Sequence, residues 1–135
     1  MIGLDTNVLV RYMAQDDPKQ SAVATRLIEE KLSPAEPGFI SLVVLAELCW
    51  VLMRLYSASA DELIAAIEDL LNTPQLHLDH RDVVVATVQH VKARKHGKAG
   101  FVDALIAQLA ASEGCSRTVS FDKVAVRAAG MVLLA

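Results

Sequence analysis

Four acids in this chain sit where solubility does not require one. Asp5 and Asp122 each follow a short apolar run, Ile2-Gly3-Leu4 and Thr118-Val119-Ser120-Phe121, that reads as a β-strand. An acid in such a place either caps the helix that follows or points into the crevice beyond the strand ends, where open parallel sheets bind ligands. Glu47 interrupts the longest apolar stretch, Phe39 to Met53. On a helix its side is shared with Val43, Trp50, Val51 and Arg54, so partial desolvation is expected, and a buried carboxylate needs a partner or a metal. Arg54 lies seven residues on, roughly 10 Å of helical rise, too far for a direct ion pair. Asp103 falls in the first turn of another predicted helix, where the macrodipole favours any acid. There Phe101, Val102, Leu105, Ile106 and Leu109 form one stripe. Asp103 shares its side with Ala107 and Ala110, small residues that let another element approach.

A compact chain of this length has a radius of gyration of about 14 Å, so four such positions can converge. Four carboxylates within a few ångströms repel one another and cannot all stay ionised without compensation. One or two divalent cations supply it, and an all-oxygen set selects Mg²⁺ or Mn²⁺ over zinc. Metal held in this way activates water for attack on phosphorus and neutralises the leaving oxygen. The chemistry indicated is phosphodiester hydrolysis.

The elements that must position these acids alternate between strand and helix. The pattern predicts helices over 8–14, from Asp16-Asp17-Pro18 to about Leu32, and over 42–56, 59–72, 82–96, 101–112 and 123–129. Strands are expected at 2–4, 39–41, 76–79, 118–121 and 131–134, with a loop bracketed by Gly97 and Gly100. Such alternation implies an α/β fold with a mostly parallel central sheet sandwiched by helices. At 135 residues with no linker or repeat, a single domain over 1–135 is expected.

The blocks Leu4-Asp5-Thr6-Asn7-Val8-Leu9, Leu45-Ala46-Glu47-Leu48, Val102-Asp103-Ala104-Leu105-Ile106-Ala107 and Ser120-Phe121-Asp122 resemble, in order and spacing, the four signature blocks of the PIN domain. The resemblance covers essentially the whole chain and is nearest to the VapC-type toxins of type II toxin–antitoxin modules. It implies an endoribonuclease dependent on Mg²⁺ or Mn²⁺, with Asp5, Glu47, Asp103 and Asp122 as catalytic metal ligands. Thr6, Asn7 and Ser120 match the polar positions that orient ligands or attacking water. It also implies a small cognate antitoxin, covering an apolar groove near the active site, and a homodimer. One departure is Gly100, where several relatives carry a further acid.

Composition limits the alternatives. Apolar residues form 53% of the chain, which excludes a disordered protein. Aromatic residues form only 4%, leaving little material for base stacking, and the net charge of −3 argues against binding nucleic acid by bulk positive charge. A local patch is the remaining route. Lys92, Arg94, Lys95, His96 and Lys98 gather just before Asp103, either as a solvated helix end or as a rim contacting RNA phosphates. Cys49 and Cys115 have no metal-site spacing and read as small core residues or inert thiols. His77, His80 and His90 are given no role. Trp50 and Tyr56 are expected to pack in the core or an interface, and Arg11 to be a surface residue. The start has no basic segment, and an apolar stretch centred on Glu47 is a poor membrane span, so a cytoplasmic location is expected.

Three rivals are weighed. A phosphatase with Asp5 as nucleophile, similar to haloacid-dehalogenase-like proteins, needs a second acid where Asn7 stands. A non-catalytic PIN-like binding module is disfavoured by the presence of all four acids. A PIN nuclease of ordinary RNA processing is disfavoured by the lack of an appended domain.

Overall fold

The computed structural model describes residues 1–94 and 100–134. It divides into two compact units, Met1–Arg81 and Asp82–Ala135.

In the first unit, β1 (Ile2–Gly3), β2 (Gly38–Ile40) and β3 (Leu76–Leu78) form a parallel sheet in the order β1-β2-β3. Its register pairs Ile2 with Gly38 and Phe39 with His77. Each crossover is a pair of helices: α1 (Thr6–Ala14) and α2 (Pro18–Arg26) after β1, then α3 (Leu42–Leu55) and α4 (Ala60–Leu71) after β2. Local chemistry sets these boundaries. Asp17 accepts from Gln20 N, and Pro18 opens α2 with a φ already suited to a helix. Ser41 caps α3, while Ser59 and Glu62 close a reciprocal capping box on α4. The core is aliphatic: Leu9, Ile28, Ile40, Leu45, Leu48, Ile67, Leu70 and Leu78 are almost fully buried. At the sheet's centre, a Cβ on Gly38 would come within 2.7 Å of Leu4 Cδ1 and 2.8 Å of Leu32 Cδ1, so glycine lets those leucines close over β2.

The helix expected to run to Leu32 is α-helical only to Arg26. It then widens into a π-helical turn at Leu27–Lys31, closed by Leu32 N–H to the carbonyl of Leu27 at 2.9 Å. A π-turn adds one residue without altering composition, so apolar spacing does not disclose it.

The second unit contains most of α5 (Arg81–Ala93), then α6 (Phe101–Ser112), β4 (Val119–Ser120), α7 (Lys123–Ala129) and β5 (Val132–Leu133). The last two strands pair in parallel around the α7 crossover. Helix α6 packs on α7, where Ala125, Ala129 and Met131 form a buried cluster with Ala107 against it. Gly130 ends α7 at φ +74°, a left-handed conformation that costs glycine nothing. At the end of α5, His90 contacts the Ala128 carbonyl at 3.2 Å, and the Arg94 guanidinium donates to the Arg127 carbonyl.

The mixed α/β fold with parallel strands is as expected. Among the described residues the strands occur as a three-stranded sheet and a separate pair. The expected end of α5 beyond Arg94, and the loop at Gly97, fall outside the described residues.

Candidate functional site

Asp5 follows β1 and Asp122 follows β4, each at the C-terminal end of a parallel strand. The two differ in what their carboxylates do. Asp5 holds the N-cap position of α1 but makes no side-chain cap bond, and it is exposed. The capping explanation for this residue therefore fails. Asp122 does cap: Oδ1 accepts from Val124 N at 2.8 Å and Ala125 N at 3.4 Å. Its own N–H donates to Ser120 Oγ at 3.0 Å, so two short bonds fix the strand-to-helix turn.

Asp103 lies in the first turn of α6 and is half-buried. Its carboxyl is pushed above the usual carboxylate range, first by burial and then by the negative charge of Asp122. The packing of α6 on α7 brings these two acids within electrostatic reach.

Glu47 is in the second turn of α3, which packs on α1, the helix that Asp5 begins. The desolvation expected of Glu47 is not found, because it is exposed. The apolar residues on its side do not cover it: Val43 and Trp50 are themselves exposed, at 80% and 55%. Helical periodicity shows which residues share a face but not whether that face meets another element. Arg54 stacks on the Trp50 ring, 5.0 Å from its centroid, in keeping with the distance argument that denied it to Glu47.

The supporting polar residues divide similarly. Thr6, beside Asp5, is 2% exposed, and its Oγ1 has no hydrogen-bond partner among the described residues. An unpaired buried hydroxyl costs about 1–3 kcal/mol. Asn7 is exposed in the first turn of α1. Ser120 shapes the turn before Asp122, as above. Of the basic residues before Asp103, Arg94 is engaged with the Arg127 carbonyl and Lys92 is in the last turn of α5. Lys95, His96 and Lys98 lie outside the described residues.

Other expectations divide. Trp50 and Tyr56 are exposed, so of the two expected places the core is excluded, and the Tyr56 hydroxyl donates to Asp16 Oδ2 at 2.7 Å. Ile106, on the stripe of large residues of α6, is 49% exposed. Cys49 is buried, with its thiol pushed up to about 12 by desolvation, whereas Cys115 is exposed. His77 stacks on Phe39, its partner across β2 and β3.

One feature beside α1 has no signal in the sequence. A groove of about 530 Å³ lies between α1 and α2, bordered by Asn7, Val8, Arg11, Lys19, Gln20 and Val23. Arg11 and Lys19 are eight residues apart across a turn, so only the packing of α1 on α2 brings them to one groove.

The donor chemistry fits a hard divalent cation: Asp103 faces another acid, Asp122 has one carboxylate oxygen outside its cap, and Asp5 has no capping duty. Among the described residues, no three or more His, Cys, Asp or Glu side chains form a group that could hold a metal. Asp5 and Glu47 belong to the first unit, Asp103 and Asp122 to the second.

Asp5 and Asp122, beyond the C-terminal ends of parallel strands, stand where α/β folds commonly bind ligands. The PIN domain family profile matches residues 2–131, across both units, and the chain belongs to that family. PIN domains are in general metal-dependent nucleases acting on RNA. No curated protein matches the chain.

Proposed function

We propose that this protein is an endoribonuclease using Mg²⁺ or Mn²⁺, the toxin of a toxin–antitoxin pair, with Asp5, Glu47, Asp103 and Asp122 as one metal-binding set in a single PIN domain over 1–135. The observation that carries the reading is the placing of Asp103 within electrostatic reach of Asp122, where burial first and then the charge of Asp122 raise the Asp103 carboxyl. Two acids held together without a cation cost folding energy, and a site for a cation explains why they stay. The metal, when bound, supplies an activated water and neutralises charge on the leaving oxygen.

The chain's own residues do the rest. Ser120 and the cap of α7 hold Asp122 in one orientation. Thr6 and Asn7, following Asp5, are the polar groups proposed to orient water or ligand. The basic stretch of Lys92, Arg94, Lys95 and Lys98 is proposed to meet RNA phosphates. The exposed apolar residues of α3 (Val43, Trp50, Met53 and Leu55) support a homodimer face. A small antitoxin and a cytoplasmic location complete the proposal. No helix among the described residues is long and apolar enough to cross a membrane.

The test is incubation of cellular RNA with the purified, antitoxin-free protein in Mg²⁺ or Mn²⁺, in EDTA, and beside Asp5→Ala. Cleavage is expected only with metal, and Asp5→Ala should lower it by about 10²-fold or more while the circular dichroism spectrum is kept. Cleavage by folded Asp5→Ala at the wild-type rate overturns the assignment. Folded wild-type protein that cuts nothing favours the binding-module reading.

A further inference from the structure

We propose that the groove between α1 and α2 is a nucleotide subsite, holding one residue of the RNA strand beside the scissile bond, with its phosphate against Arg11 and Lys19. This rests on the nuclease reading above. Asn7, two residues from Asp5 in the chain, borders the groove. At about 530 Å³ the groove falls within the range of small-ligand sites, about 300–1,000 Å³.

Its chemistry is selective for a nucleotide. Among the described residues none of those lining it is acidic, in a chain whose net charge is −3. Two cations border it, and its surface is otherwise mainly apolar, with Val8 and Val23 available to a base or ribose face. Asn7 and Gln20 add amide groups able to bond base edges. Arg11 is held in place: its Nε donates to Gln20 Oε1 at 2.8 Å, while Asp16 meets Nη1 only at 3.4 Å. Asp16 is itself shared with the Tyr56 hydroxyl. Lys19 is exposed in the first turn of α2, and Val23 is 69% exposed, one turn further along.

The test measures binding of a fluorescein-labelled random single-stranded RNA decamer by anisotropy, in EDTA so that nothing is cut. The variants are Lys19→Glu, Val23→Glu and Arg26→Glu. Arg26 lies on the same helix and is exposed, paired at 3.8 Å with Glu30, and it does not line the groove. Lys19→Glu is expected to weaken binding about five- to tenfold and to lower the salt slope by about one, with Arg26→Glu changing affinity less than about twofold. Val23→Glu, which adds a carboxylate without touching a cation, should weaken it in the same direction. Equal losses in Lys19→Glu and Arg26→Glu, or none in Lys19→Glu and Val23→Glu, overturn the subsite. So does the finding that both groove variants keep RNA but lose a fluorescent glutamate-rich amphipathic peptide that the wild type binds, which would make the groove a protein dock. The readout is independent of cleavage. An inactive protein sinks the nuclease reading whatever the groove binds, and an active one with unaltered RNA affinity in Lys19→Glu sinks the subsite alone.

Discussion

Asp122 does two jobs that substitution can separate. Its Oδ1 caps α7, and its charge raises the Asp103 carboxyl. Asp122→Ala removes both and is expected to cost about 0.5–2 kcal/mol in urea denaturation, the usual loss for a cap. Asp122→Asn keeps an oxygen that can cap and also relieves the repulsion on Asp103, so in EDTA at pH 7 it should be at least as stable as wild type. Both should lose RNA cleavage, so an active Asp122→Asn variant would remove this residue from the metal set. Asp103 makes a different prediction. Its carboxyl titrates above the ordinary value of 3.8 because burial and Asp122 disfavour its charge. A folded-state pKa raised in this way means the fold holds the proton more tightly than the unfolded chain. Metal-free stability is therefore favoured at acid pH and lost as pH rises through that raised value. Asp103→Asn removes the penalty. In EDTA its Tm should exceed the wild type's at pH 7, with the gap closing toward pH 4, and a gap independent of pH would rule out this cause.

At the scale of elements, the position of Asp5 depends on how β1 and β2 meet. Leu4, buried beside Asp5, closes over Gly38, and its N–H donates to the Phe39 carbonyl at 2.9 Å. Gly38→Ala forces Leu4 and Leu32 aside by overpacking and should cost about 1–3 kcal/mol. Because Leu4 adjoins Asp5, cleavage should fall by more than the lost folded fraction explains. Activity that tracks the folded fraction alone would mean Leu4 yields without moving Asp5. Helix α3 shows the limit of reasoning from one element. The face carrying Val43, Glu47 and Trp50 was legible from spacing, yet its exposure was not, since exposure depends on which other element arrives there. The α2 helix shows another limit: the same residues can close α- or π-turns, and apolar spacing does not choose between them.

For the whole molecule, the family match spans both compact units, and two of the four acids belong to each. A ligand that binds only the folded protein stabilises it by RT ln(1 + [L]/Kd), about 2.7 kcal/mol at a hundredfold excess over Kd. Millimolar Mg²⁺ or Mn²⁺ should therefore raise the wild-type Tm by several degrees. The gain should fall in Asp5→Ala and in Asp122→Asn alike, although these residues belong to different units. A metal effect lost in one variant and intact in the other would mean that the four acids do not act as one set.

The sequence by itself determined the alternation of strands and helices, the caps at Asp17 and Ser59, and the four blocks that carry the family. These are local properties: turn chemistry, apolar period and residue type act over a few positions and need no distant partner. The tertiary structure alone decided that Asp103 feels Asp122, that Glu47 is exposed, that Asp5 is free of capping duty, and that Arg11 and Lys19 border one groove. Each of these depends on which surfaces pack against which, and the free energy of that choice is spread over buried side chains far apart in the chain.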